Sequence, residues 1–311
     1  METTLGLTFM FLGLMALSFL NAWYSPARFA ILPLVINRNE YIKANGTLVM
    51  IEQLLATAGW AFGAILALYI PFHILIGAIA LFFISSGVLI VMIKLHNERA
   101  ILPKKVHTSP AWKEIWRIKV VRGITIMDSV EAIANAIWTS ALILAFTTVV
   151  LGAGEEWWGF INAAYFIGAI FGSVLVTYKA KAFSSKIGIN IGLSGLSMGV
   201  LTILFSLNTI PIIALLLCIL MGPMYQARDI CQVALLQDAI PESRRAGIMA
   251  ARNALLTPLA GVMVLVVGIL ADLIGVRFVY LLAGIAYLLV SLLAFKLSYL
   301  KNYKLSDAHS M

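Results

Sequence analysis

Apolar segments long enough to cross a lipid bilayer recur along this chain and constrain its fold more than any other feature. A spanning helix needs roughly 20 mostly apolar residues. Nine segments meet that length: Thr3–Tyr24, Leu48–Tyr69, Ile74–Leu95, Gly123–Thr148, Gly159–Tyr178, Ile187–Leu207, Ile210–Gln226, Gly247–Leu270 and Arg277–Tyr299. Because lipid cannot satisfy open backbone groups, each is predicted to be an α-helix. We therefore expect an all-α, polytopic membrane protein with about nine transmembrane helices.

The composition agrees with a lipid environment. Of the 311 residues, 62% are hydrophobic and 12% are charged, whereas soluble domains are about half apolar and a quarter charged. The net charge of +8 would suggest a nucleic-acid partner in a soluble protein. Here the basic residues lie between apolar runs, so we expect a lipid bilayer and no nucleic acid as partners.

The basic residues also predict an orientation. All of them except Arg277 fall in connections that alternate with nearly uncharged ones. By the positive-inside rule the basic side is cytoplasmic, which puts the C-terminus inside and the protein in the cell membrane. Four regions follow: residues 1–95, a partial N-terminal bundle of three helices; 96–122, a basic cytoplasmic linker; 123–299, a six-helix bundle; and 300–311, a cytoplasmic tail.

The linker itself contains a short amphipathic pattern. Pro110 suits a helix start, and Trp112, Ile115 and Trp116 then share one face at helical spacing. This pattern favours an interfacial helix on the inner leaflet. A partly ordered basic tether is the alternative.

Two connections look like copies of each other. Trp23–Gln53 joins two apolar segments, and Tyr225–Asn253 does the same about 200 residues later. Tyr24 and Arg28 in the first copy match Tyr225 and Arg228 in the second. Such echoes between helix pairs indicate an internal repeat, which is typical of secondary transporters.

These residues resemble the major facilitator superfamily, in particular its drug-efflux branch of macrolide and enterobactin exporters. The turn at Pro26, Ala27 and Arg28 resembles the junction of that family's fourth and fifth helices, and the run from Glu156 to Gly168 resembles the start of its eighth. The resemblance implies two six-helix halves joined by a basic linker. It also implies that the first three helices are absent from this sequence, that transport requires them, and that the chain is N-terminally shortened.

Two family signatures differ here. The Asp-Arg loop between the family's second and third helices would lie in the absent region, and its counterpart at Tyr178–Lys186 has no Asp-Arg. The exporter-type Gly-Pro motif appears only as Gly59–Gly63, with Trp60 in place of proline.

Asp128 and Glu131 are the strongest candidates for chemistry. They lie three residues apart on one face of the fourth segment, and a carboxylate in hydrocarbon must be protonated, paired or hydrated. Reversible protonation would suit proton coupling, with Glu131 the deeper of the two. The alternative is a helix that begins late and leaves Asp128 near the interface beside Arg122.

Other polar residues flank the repeated connections. Glu52 and Gln53 lie one turn into the second segment, as a gate contact or a polar helix end near Arg28 or Lys43. Arg28 and the pair Arg228-Asp229 are candidates for cytoplasmic gate contacts. Their alternative is a plain positive-inside anchor.

Two further sets of residues are candidates for motion and for binding. Gly222, Pro223 and Pro258 interrupt apolar segments, as hinges or as ordinary kinks. Aromatic side chains of a substrate cavity would come from Trp60, Phe62, Trp138, Tyr165 and Phe166. The alternative places them against lipid.

The sequence thus favours a secondary active transporter, a proton-coupled antiporter that exports amphipathic small molecules. No motif for an enzyme, a metal or a cofactor is present, and we expect none. The alternative function is an inactive membrane fragment, or a structural partner that needs the missing helices from another polypeptide.

Overall fold

The structure, a computed structural model, describes residues 2–92, 110–303 and residue 305, and all regular structure among them is helical. The helices are α1 Glu2–Val35, α2 Tyr41–Tyr69, α3 Phe72–Val91, α4 Ala111–Arg117, α5 Lys119–Asn135, α6 Ser140–Ala145, α7 Glu156–Tyr178, α8 Ala180–Ser185, α9 Ile187–Leu207, α10 Pro211–Ala239, α11 Arg245–Ile274, α12 Val276–Lys296 and α13 Ser298–Lys301.

Six helices in the described ranges are long and apolar enough to span a membrane: α3, α7, α9, α10, α11 and α12. A seventh span arises if Lys119–Trp138 and Ser140–Val150, which meet at a bend of 52°, cross the bilayer together. The all-α polytopic fold is therefore confirmed. The predicted count of nine is not, because the first two predicted segments lie on α1 and α2, which are not among these helices.

The helices after the linker form the packed part of the molecule. In it α10 packs against α7 and α9, while α12 packs against α9 and α5. At Gly222 a side chain would collide with the backbone of Gly168 and Ala169, which explains how α10 and α7 approach so closely. α2 docks onto this group along α7 and α10.

Two apolar clusters fill the packed part. The first includes Met127 of α5 and Ala227 of α10, and the second includes Ala134 of α5 and Met221 of α10. Asp128 and Glu131 lie between these two positions on α5, and Arg228 follows Ala227 on α10. Glu131 and Arg228 are only 2% and 4% exposed, so they lie deep in the helix bundle rather than at its surface.

The first span of the packed part is broken. After α5 the chain passes through a 3-10 turn, Ala136–Trp138, before α6, and α6 runs into a π-helical turn at Phe146–Val150. Two tyrosines of α12 bind this break: the Tyr280 hydroxyl donates to the Ile137 carbonyl at 3.0 Å, and the Tyr287 hydroxyl donates to Asn135 Oδ1 at 2.6 Å. Neighbouring helices thus supply the partners that a broken helix needs in lipid.

The predicted repeat is present, but in a different register. α1 and α2 are joined by a 3-10 turn at Arg38–Glu40, and α10 and α11 are joined by one at Glu242–Arg244. The ends of α1 and α10, the two turns and the starts of α2 and α11 are each 204 residues apart. The match of Arg28 with Arg228 was therefore wrong by one helical turn.

The described part of the linker contains a helix, α4, whose side chains are partly buried and partly exposed. Ile115 is fully buried, whereas Trp112 and Trp116 are about half exposed. Glu114 is also buried and pairs with Arg244 at 3.0 Å. The interfacial position of this helix stays a prediction, and residues 93–109 of the linker lie outside the described part of the chain.

Candidate functional site

A charged cavity of about 190 Å³ lies between α5 and α10. It is lined by Asp128, Glu131, Asn135, Tyr225, Arg228, Asp229 and Gln232. The cavity therefore contains both predicted proton-coupling carboxylates, together with two residues predicted to belong to a cytoplasmic gate. The two carboxylates and the two gate candidates lie within α5 and α10, and the two apolar clusters pack these helices into position.

Arginines pair with both carboxylates from α5. Arg228 Nη1 binds Glu131 Oε1, and Arg252 Nη2 of α11 binds Asp128 Oδ2. Arg228 Nη2 also lies 3.5 Å from Asp128 Oδ1, and Gln232 donates to the same oxygen at 3.3 Å. The result is one network across three helices, in which Arg228 contacts both carboxylates.

Burial makes this network costly to break. The side chains of Arg228 and Glu131 are only 5% and 3% exposed. Removing one partner of such a pair leaves a charge in the interior, which is far less favourable than losing an exposed pair. Arg228 also has a buried Nε without a hydrogen-bond partner in the described part of the chain.

The structure corrects the sequence-based positions of these arginines. Arg228 and Asp229 were placed at a helix end, but α10 continues to Ala239. Arg252, which we counted among the cytoplasmic connections, is buried in α11. Asp128 is not beside Arg122, because α5 begins at Lys119 and carries Asp128 into the middle of the helix.

A second, aromatic cavity of about 320 Å³ adjoins the charged one. It is lined mainly by apolar and aromatic side chains of α7, α10 and the broken span that follows α5, among them Trp138, Tyr165 and Phe166. Asn135 and Tyr225 line both cavities and form their shared wall. Tyr165 and Tyr225 meet edge to face, with ring centroids 6.4 Å apart. Trp138, Tyr165 and Phe166 thus line a cavity, as the cavity hypothesis expected.

A third cavity, of about 160 Å³, lies at the seam between α1, α2 and the packed helices. Arg28 of α1 pairs here with Glu52 of α2, and Asp229 of α10 lines the cavity beside them. Asn45 of α2 donates to Gln237 Oε1 of α10 at 2.7 Å across the same seam.

The gate candidates are therefore split between two positions. Arg28 and Glu52 lie in the seam cavity, whereas Arg228 lies in the charged cavity. Asp229 lines both cavities. Gln53 lines none of these three, and its Oε1 is buried without a hydrogen-bond partner among the described residues.

The hinge candidates lie in unbroken helices. α10 passes through Gly222 and Pro223, and α11 passes through Pro258. A Cβ on Gly172 of α7 would collide with Pro223, so Gly222 and Pro223 belong to a close helix contact. Their role as hinges stays a prediction.

Sequence reasoning missed three members of the site. Asn135 is a polar residue inside the predicted segment Gly123–Thr148, and Gln232 lies in the predicted connection Tyr225–Asn253. Arg252 is a charge five residues inside the predicted segment Gly247–Leu270. An arginine inside an apolar run needs an acidic partner. That signal was available but was read as part of a connection.

Charged residues buried between long apolar helices, next to a cavity that is mainly apolar, are typical of membrane transporters. The family model of the Major Facilitator Superfamily matches residues 3–255. The chain belongs to this family. The membership agrees with the family resemblance of the sequence and with the helical fold.

Two relatives come from Bacillus subtilis (strain 168). The uncharacterized MFS-type transporter YjbB is 42% identical over 288 residues, which cover 92% of this chain and 71% of the relative. The uncharacterized MFS-type transporter YfmI is 33% identical over 295 residues, which cover 93% of this chain and 72% of the relative. No solved structure matches the chain.

These matches support a multi-pass membrane transporter that moves small molecules. They give no support to the alternative of an inactive fragment or structural partner. The absence of the family's opening helices and the drug-efflux branch both stay predictions.

Proposed function

We propose that this protein is a proton-coupled antiporter that exports amphipathic small molecules across the cell membrane. In this proposal the nine predicted helices cross the bilayer and the C-terminus is cytoplasmic. The shared wall of the aromatic and charged cavities, at Asn135 and Tyr225, carries the proposal. A substrate in the aromatic cavity would therefore contact two side chains that also line the charged cavity.

The aromatic cavity fits the apolar part of such a substrate. Small-molecule sites are usually apolar hollows of about 300–1,000 Å³ with a few placed polar groups, and this cavity is about 320 Å³. Asn135 and Asn162 supply amide groups, while Trp138, Tyr165 and Tyr225 supply ring faces.

The charged cavity supplies a means of proton coupling. If Glu131 gains a proton, its attraction for Arg228 weakens, and the guanidinium is left with Asp128 at 3.5 Å. If Arg228 of α10 changes its partner on α5, the contact between these two helices changes with it. Because α10 also lines the aromatic cavity, protonation and substrate binding act on the same helix.

Efflux of a fluorescent dye from cells tests this function. Cells that lack their own exporters and express this chain should lose preloaded ethidium faster than cells with an empty vector, and a protonophore should remove the difference. Glu131→Gln keeps the shape of the side chain, so it should insert normally and lose the protonophore-sensitive efflux. Glu156→Gln, an exposed position at the start of α7, is the matched control and should keep it.

Efflux that persists unchanged in the protonophore would contradict proton coupling. Stable insertion of the unmodified chain without any efflux would contradict export and favour the fragment alternative.

A further inference from the structure

The arginines and carboxylates around the two polar cavities do not balance. Three arginines face three carboxylates: Arg28 pairs with Glu52, Arg228 with Glu131, and Arg252 with Asp128. Arg228 also lies 3.5 Å from Asp128. The fourth carboxylate is Asp229, which has no ion pair and no hydrogen bond within the described part of the chain. With every pair formed, this group of residues has one negative charge in excess.

Asp229 is also the residue that connects the two cavities. It lines the charged cavity with Glu131 and Arg228, and it lines the seam cavity with Arg28 and Glu52. An isolated carboxylate between apolar helices is unfavourable unless a proton or another cation neutralises it. Its position next to open space gives such a cation room to bind.

We propose that Asp229 binds the positively charged group of an apolar or aromatic monocation and holds a proton when that cation is absent. This inference rests on the proposed function and specifies its substrate class. In the exchange, the cation displaces the proton from the Asp229 carboxyl group, the carboxylate forms an ion pair with the cation, and the proton leaves to solvent. Charge and atoms balance without any further reactant.

The surroundings of Asp229 favour a cation over an anion. The buried guanidinium groups already face carboxylates, so an anion would have to displace one of them. A cation would meet the one carboxylate that is free. Aromatic ring faces also attract cations. Tyr225 lines the charged cavity, and Tyr165 lies beside it in the aromatic cavity.

Asp229 is the one carboxylate of this group whose protonation breaks no ion pair. The charged groups that face the connected cavities from the packed helices are Arg28 of α1, Glu52 of α2, Asp128 and Glu131 of α5, Arg228 of α10 and Arg252 of α11. All six are held in ion pairs. The other groups that face these cavities, the phenols of Tyr165 and Tyr225, are uncharged near neutral pH.

Equilibrium binding of ethidium, an aromatic monocation, tests the proposal without a gradient. The full chain in lipid nanodiscs should bind ethidium about fivefold more tightly at about pH 8 than at about pH 6, with release of about one proton per ethidium at the lower pH. Asp229→Asn should weaken binding at least tenfold at the higher pH and remove the pH dependence. Asp272→Asn, an exposed position on α11, is the matched control and should change neither.

The thermal midpoint of Asp229→Asn should not fall, because the substitution keeps the shape of the side chain and breaks no ion pair. Ethidium binding by Asp229→Asn with the affinity and pH dependence of the unmodified protein would overturn the proposal. So would the absence of proton release from the unmodified protein, a result that does not depend on the variant folding.

Binding and transport fail separately in this design. Ethidium binding that depends on Asp229, without protonophore-sensitive efflux, supports the inference and contradicts the proposed function. Protonophore-sensitive efflux of ethidium, with binding that does not depend on Asp229, supports the proposed function and contradicts the inference.

Discussion

The aromatic cavity and the charged cavity are neighbours in one helix bundle, yet different forces hold them together. Ring contacts surround the first, where Trp138 packs against Phe205 and Tyr280 with centroids 5.5 Å apart. Ion pairs hold the second. Apolar contact holds the first in place whatever the protonation state of its neighbours, whereas the second changes when a charged group gains or loses its partner.

This difference separates the two tasks of a coupled transporter. Apolar contact gives affinity that is indifferent to pH and tolerant of substrate shape. Buried ion pairs give two distinct states, because a half-broken pair is strongly unfavourable. The cavities share Asn135 and Tyr225, so a change in one reaches the other through these side chains.

The largest effect is expected in the charged cavity. Arg228→Leu leaves Glu131 buried without its partner, and we expect a loss of about 3–5 kcal/mol in the free energy of unfolding. Denaturation of the purified protein in detergent, followed by loss of helical circular dichroism, measures it. Arg277→Leu, an exposed position on α12, should stay within about 0.5 kcal/mol.

The double variant Arg228→Leu with Glu131→Leu sharpens that test. Removing both charges leaves no unpaired group from this pair, so most of the lost stability should return. Additive losses from the two substitutions would show that the side chains do not act as a pair.

A smaller effect is expected in the aromatic cavity. Tyr165→Ala removes a ring that lines it, and we expect ethidium binding to weaken about tenfold, or about 1.4 kcal/mol, by the same factor at about pH 6 and about pH 8. Phe278→Ala, which removes an exposed ring of α12, is the control. A loss that appears at one pH only would break the division between the two cavities.

Much of this molecule could be predicted from the sequence. The apolar runs predicted the helices because lipid leaves no other structure for them, and Asp128 and Glu131 stood out as charges in such a run. Residue pairing could not be predicted, since Arg252 is 124 residues from Asp128 in the chain. The broken span after α5 was also missed, because the tyrosines that bind it come from α12.

The repeat shows a subtler limit. Helix ends in lipid are weakly marked in a sequence, because apolar residues continue on both sides of them. Residue matching alone therefore aligned Arg28 with Arg228, whereas the turn positions set the register one helical turn away. This shift of one helical turn decides whether Arg228 is at a helix end or in the middle of the bundle.

The smallest effect is expected at the seam, where the Arg28 and Glu52 side chains are 29% and 47% exposed. Solvent screens such a pair, so Glu52→Gln should change the free energy of unfolding by less than about 1 kcal/mol. The same denaturation measurement applies. A loss as large as that of Arg228→Leu would show that the seam is as closed to solvent as the charged cavity.

The central claim is that substrate movement is coupled to protons through the charged cavity. Ethidium uptake into proteoliposomes with an acidic interior measures this directly, because outward proton flow should drive an antiporter to accumulate the dye. We predict uptake that a protonophore abolishes and that Glu131→Gln lacks. Uptake of equal rate with and without the pH gradient would contradict the account.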